Sequence, residues 1–227
     1  MKIALVTGAS SGIGYAITKK LLELNYKVIG VSRGIKNELF NHPNFKAINC
    51  DLTDVKEIQK LKDEDISILI NCAGFGRFEP HEELNQKIIL DMVALNLTAP
   101  MLLTNMLLRK LKKNDGYIIN INSIEALRAS KFAGVYSATK AGLKAFGDSL
   151  FEETRKSNLS ITNINPDMTE SNFYNDLRFE TSKKEDEKLL ATDIADAIEH
   201  ILGMRKGAVV SEYTIRSLRF GIAKKSS

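Results

Sequence analysis

Seven short runs rich in Val, Ile and Leu recur along the chain, at 3–6, 27–31, 45–50, 66–70, 117–122, 159–164 and 208–210. They lack the polar alternation of a strand with one wet face, so each reads as a strand covered on both sides. Apolar positions at helical spacing fill the intervals near 12–24, 54–62, 82–112, 134–157 and 191–202. Strands alternating with helices predict an α/β fold: a doubly wound, seven-stranded parallel sheet with helices on both faces. Crossovers are then right-handed, and ligands gather at the carboxyl ends of the strands.

Three stretches depart from this rhythm. Residues 167–188 hold few core-type positions and carry the charge run Lys183-Lys184-Glu185-Asp186-Glu187-Lys188. Such an insertion is either a solvated surface loop or a mobile substrate lid. The stretch 82–112 is apolar on most of its faces, with Leu90, Val93, Leu97, Met101 and Leu108 among many. One sheet cannot cover all of that, which predicts a homodimer or homotetramer. The basic end, 213–227, with Arg216, Arg219, Lys224 and Lys225, reads as a flexible, solvated tail.

Length and composition narrow the picture. The 227 residues suit one domain spanning 1–227, and 44% hydrophobic with 26% charged residues argue against a disordered or fibrous chain. No apolar run reaches the ~18 residues of a membrane span. The opening apolar stretch is too short for the core of a signal peptide, so the expected compartment is cytoplasmic. Cys50 and Cys72 cannot make a disulfide framework, and His42, His81 and His200 share no metal-ligand spacing, so no metal is expected. A net charge of +4, from 32 basic and 28 acidic residues, is too mild to argue for nucleic acid.

The first strand runs into Thr7-Gly8-Ala9-Ser10-Ser11-Gly12-Ile13-Gly14 and then a helix. Glycines there allow a tight turn and a close phosphate, while the helix start offers free N–H groups and a positive dipole end. The spacing is G-x-x-x-G-x-G rather than G-x-G-x-x-G. Residues 8–12 also satisfy G-x-S-x-G, but a hydrolase elbow needs earlier strands, and only seven residues precede Gly8. A P-loop fails because Gly14 is followed by Tyr15 and Ala16. After the second strand, where an acid usually meets a free ribose 2′-OH, the chain has Ser32-Arg33 with Lys36 nearby. A guanidinium suits a 2′-phosphate, favouring NADP over NAD.

Tyr136 and Lys140 lie four residues apart on one helical face. A nearby ammonium favours the phenolate and pulls the phenol down from ~10, tuning it for proton transfer. Ser123 and Asn71-Cys72-Ala73-Gly74 each close a strand at its carboxyl end. Pro100 lacks an N–H, so the carbonyl of Asn96 loses its helical partner and could hold a water.

The glycine turn, Asn71-Cys72-Ala73-Gly74, Asn96, Ser123 and Tyr136-Ser137-Ala138-Thr139-Lys140 together resemble the short-chain dehydrogenase/reductase family, to about residue 212. The resemblance implies a Rossmann-like fold and hydride transfer between NADP(H) and a carbonyl or alcohol substrate. It implies Tyr136 as general acid/base, Lys140 as its partner and holder of the nicotinamide ribose, Ser123 as a donor to the substrate oxygen, and Asn96 as holder of a relay water. It places Gly8, Ser10, Ser11, Gly12, Ile13 and Gly14 on the pyrophosphate and adenosine ribose, and Ser32 and Arg33 at the 2′-position. It also places Asp51 and Leu52 at the adenine, Asn71, Ala73 and Gly74 along the cofactor, and Pro166, Met168 and Thr169 at the carboxamide. The family's Pro-Gly is here Pro166-Asp167, which puts the local backbone path in doubt. Phe75, Phe78, Leu127 and Phe173 imply a partly apolar substrate. A silent dinucleotide-binding sensor or scaffold is the alternative.

Overall fold

The structure, a computed structural model, describes residues 2–225. Its strands are β1 (Ile3–Thr7), β2 (Lys27–Ser32), β3 (Phe45–Asn49), β4 (Ile68–Asn71), β5 (Tyr117–Ile121), β6 (Ser160–Pro166), β7 (Phe179–Thr181), β8 (Glu212–Ile215) and β9 (Ile222–Lys224). Seven of them form one sheet in the order β3-β2-β1-β4-β5-β6-β8, every pair parallel. The order reverses between β1 and β4, and a crevice opens there at the carboxyl ends.

Strand alternation feeds two cores, one on each side of the sheet. Ala4 and Val6 of β1 point into a core filled by Ile17 and Leu21 of α1 (Gly12–Glu23) and by Ile194 and Ile198 of α6 (Ala191–Leu202). Leu5 points into the other, with Ile58 of α2 (Val55–Ile58), Leu103 and Leu107 of α4 (Ala99–Lys113) and Leu150 of α5 (Gly134–Thr154). The predicted fold class is therefore the observed one.

Before α4 the chain runs through α3 (Gln86–Val93) and a π-helical turn, Ala94–Thr98, in which the Ala99 N–H reaches the Ala94 carbonyl. Gln86–Lys113 is long enough to cross a membrane and holds an 18-residue window of mean hydropathy 1.4, although no uninterrupted apolar run of that length is present. Asp91, Asn96, Thr98, Thr104 and Asn105 interrupt its apolar strings, so counting consecutive apolar positions understated it. Here Leu103, Leu107 and Leu111 are buried in the core, whereas Leu90 is 68% exposed.

The C-terminal region needs two corrections. The seventh strand is Glu212–Ile215, not 208–210. As an edge strand it alternates exposed and half-buried positions, so it has no apolar run to detect. Nor is 213–225 a free tail: after β8, β9 pairs antiparallel with β7, which belongs to the 167–188 insertion, in the register Phe179↔Lys224. Arg219 N–H to the Asp186 carbonyl (2.8 Å) and Lys225 N–H to the Arg178 carbonyl (3.2 Å) stitch the two segments together. Ser226 and Ser227 lie outside the described residues.

Candidate active site

Between β1 and α1, Gly8 and Gly12 adopt φ of +71° and +54°, the left-handed region that side chains avoid. A Cβ on Gly14 would stand 2.2 Å from the Gly8 carbonyl oxygen, so the turn closes on itself only with glycine there. No side chain caps α1, and its first turn carries no acid. Its N–H groups and dipole thus face the crevice ready for an anion. Thr7 fixes the opposite wall: its Oγ1 accepts from the Cys72 N–H (2.9 Å) and the Ala73 N–H (3.0 Å).

These elements enclose a cleft of about 600 Å³. Gly8, Ser10, Ser11, Gly12, Ile13, Gly14, Ser32, Arg33, Asp51, Leu52, Ala73 and Gly74 all line it. The Ser32 hydroxyl is buried there without a hydrogen-bond partner among the described residues. Two Thr53 hydrogen bonds, and then the Arg33 charge, hold the Asp51 carboxyl below its ordinary range. Lys87, Asp91 and Ser171 also line the cleft. They carried no local motif and are brought in only by folding.

A second cavity of about 670 Å³ adjoins the first, sharing Ile13, Ser171 and Phe173 with it. Ser123, Tyr136, Pro166, Met168 and Thr169 line this one. Tyr136 is 7% exposed. Burial is the largest influence on its phenol and pushes it above its ordinary value, while the Ser123 hydroxyl beside it pulls downward and the Glu125 carboxylate pushes up. Lys140 is buried too, and burial lowers its amine to about 8. Its Nζ donates to the Ile121 carbonyl (2.9 Å) and sits 5.8 Å from the Tyr136 ring centroid. Burial, which keeps water from both groups, is the largest influence on each: it raises the phenol and lowers the amine.

Some expected roles shift. Asn71 does not reach the cleft: it is 2% exposed, and its Nδ2 donates to Asn120 Oδ1 (2.9 Å), tying β4 to β5. The Asn96 side chain is fully buried and grips the Phe75 backbone, accepting from its N–H (3.0 Å) and donating to its carbonyl (2.8 Å). It therefore shapes the loop after Gly74. Asp167 does not need glycine's freedom, since its φ is not positive. Its Oδ2 accepts from Arg216 Nε (3.1 Å) and its N–H reaches the Ile215 carbonyl (2.9 Å), pinning the end of β8. Glu125 went unnoticed in the sequence. It is buried, and accepts from Ser130 N–H (3.1 Å), Ser130 Oγ (2.7 Å), Ser137 Oγ (3.1 Å) and Arg128 Nε (3.3 Å). It thereby binds the loop after Ser123 to the helix that carries Tyr136.

A parallel sheet with a glycine turn at its switch point, beside a half-buried Ser123 and the buried Tyr136 and Lys140, defines a dinucleotide-dependent oxidoreductase class. The family model described as short chain dehydrogenase matches residues 2–181, and the chain belongs to that family. An uncharacterized oxidoreductase of Staphylococcus epidermidis is 32% identical over 226 residues, covering 95% of this chain and 96% of the relative. A 3-amino-tetrahydro-pyrrolizinone reductase of Xenorhabdus hominickii is 32% identical over 73% of this chain and 60% of its own length. Among solved structures, an alcohol dehydrogenase from Thermococcus sibiricus with 5-hydroxy-NADP aligns at TM-score 0.86 and 24% identity, over 96% of this chain and 97% of that one. A 4-hydroxyisoleucine dehydrogenase with NADH aligns at TM-score 0.82 and 25% identity, over 96% and 98%.

Proposed function

We propose that this oxidoreductase reduces a carbonyl substrate with NADPH and catalyses the reverse oxidation of the alcohol. One observation carries the proposal: Ser123 and Tyr136 open onto a cavity that shares a wall with the glycine-lined cleft. The cleft fits a dinucleotide, because the turn leaves no room for a Cβ at Gly14 and the first turn of α1 is free of acids. When bound, a nicotinamide dinucleotide supplies or accepts the hydride. The chain's own residues do the rest. Ser123 donates a hydrogen bond to the substrate oxygen. Tyr136, kept protonated by burial, gives its proton to that oxygen as the carbonyl becomes an alcohol. Lys140, titrating at about 8, suits a group that resupplies the phenol with a proton near neutral pH.

Arg33 supports NADPH over NADH, as this residue lines the cleft beside Ser32 and a guanidinium suits a 2′-phosphate. The single domain closes over its ligands with 167–188 as a lid: Ser171, Asn172 and Phe173 line the first cavity, Met168, Tyr174 and Phe179 the second. The exposed Leu90 and Val93 support a dimer or tetramer through the long helix. The test is Tyr136→Phe. Turnover of a ketone and aldehyde panel should fall by at least about a thousandfold while NADPH binding survives. Undiminished turnover refutes the assignment.

A further inference from the structure

We infer that the second cavity selects carbonyl substrates bearing an anionic group at the far end of an apolar body. This rests on the carbonyl-reductase function and names its substrate class. The deep end holds Ser123 and Tyr136. From there aromatic rings succeed one another: Phe173 lies 5.6 Å and Phe78 5.3 Å from the Tyr136 ring, and Phe179 lies 5.2 Å beyond Phe78. Such walls take an alkyl or aryl body and offer it no polar partner.

The mouth is different. Lys131, Arg178 and Lys224 line it, are exposed, and have no carboxylate partner among the described residues. Of the acids lining the cavity, Glu125 is tied to Arg128, Ser130 and Ser137, and Asp167 to Arg216. That leaves Glu83 alone against these three cations, of which Lys131 sits over the Phe132 ring, and against Lys225, whose Nζ donates to the Tyr174 and Asn175 carbonyls. The register Phe179↔Lys224 sets Lys224 directly across from the last ring of the aromatic path. The cationic rim is thus on the order of 10–15 Å from the Tyr136 ring, by two ring contacts and one cross-strand pair. Phe132 joins the rim at φ +67°, a left-handed conformation that a bulky residue rarely adopts. The buried Glu125 carboxylate near Tyr136 disfavours an anion at the deep end. Charge and shape therefore agree on one orientation: carbonyl inward, anion at the rim.

The experiment compares fatty acids carrying a ketone at the penultimate carbon with their neutral methyl esters, for both turnover and binding in the presence of NADPH. The acids should exceed the esters in kcat/KM by about tenfold at low salt, with the preference shrinking as salt screens the rim. The triple variant Lys131→Ala, Arg178→Ala, Lys224→Ala should lose most of that preference, and Lys224→Arg should keep it. Equal turnover of acid and ester by the unaltered enzyme overturns the inference and leaves the reductase function standing. A preference that survives the triple variant also overturns it. Were no carbonyl turned over, the reductase function would fail, and titration of acid against ester would still read the recognition by itself.

Discussion

Replacing Lys140 with Met should make the protein more stable near neutral pH while abolishing its chemistry. Burial lowers the amine from 10.5 to about 8, so at pH 7 the ammonium is carried into the fold at a penalty of about 3 kcal/mol, taking 1.36 kcal/mol per unit. Met removes the charge and keeps most of the volume. It also strips the Ile121 carbonyl of its 2.9 Å donor, a loss of about 1–2 kcal/mol. The net gain is about 1–2 kcal/mol at pH 7, or roughly 2–8 °C in Tm for a chain of this size. The sign then changes with pH. Between about 8 and 10.5 the unfolded chain binds a proton that the folded one has shed, so wild-type stability rises relative to the variant. Well above pH 10.5, where the amine is neutral in both states, only the lost hydrogen bond remains and wild type is the more stable. Thermal melts of both proteins without nucleotide, followed by circular dichroism across this range, give the crossing directly. A wild type that is the more stable at pH 7, with a gap independent of pH, would refute a depressed Lys140 amine.

Other outcomes follow from the same structure. Arg33→Asp should turn the preference in kcat/KM from NADPH toward NADH; an unchanged ratio removes Arg33 from the 2′-phosphate site. Gly14→Ala forces a Cβ to 2.2 Å from the Gly8 carbonyl. It should weaken NADPH binding at least about tenfold by titration, and unaltered affinity would show that the turn yields. Light scattering at micromolar concentration should give a dimer or tetramer. Leu90→Glu, at a side chain 68% exposed in a single chain, should shift it toward monomer without unfolding it. A wild-type monomer refutes the self-association surface.

How much of this was legible in the chain depends on the range of the cause. Alternating Val/Ile/Leu runs and helical spacings fixed the class, because burial on both faces of a sheet imposes a period on every segment. The glycine turn was equally plain. Its positive φ values and the closeness of Gly14 to Gly8 are local demands that only glycine meets. The same holds for the partners Tyr136 and Lys140, one helical turn apart.

Tertiary structure decided what depends on distant pairing and on dielectric. A three-residue β7 and β9 are too short to show in any window, and each exists because the other is beside it. The same pairing turned a supposed tail and a supposed loop into one wall of a cavity. Asn71, facing the cofactor by analogy, turns inward to Asn120, which only the β4–β5 register could show. Above all, sequence spacing set the Tyr136 phenol next to an amine and suggested a lowered phenol, whereas the folded interior withdraws water from both, which raises the phenol and lowers the amine. Spacing along a helix is written in the sequence; the solvation that sets proton affinity belongs to the assembled interior.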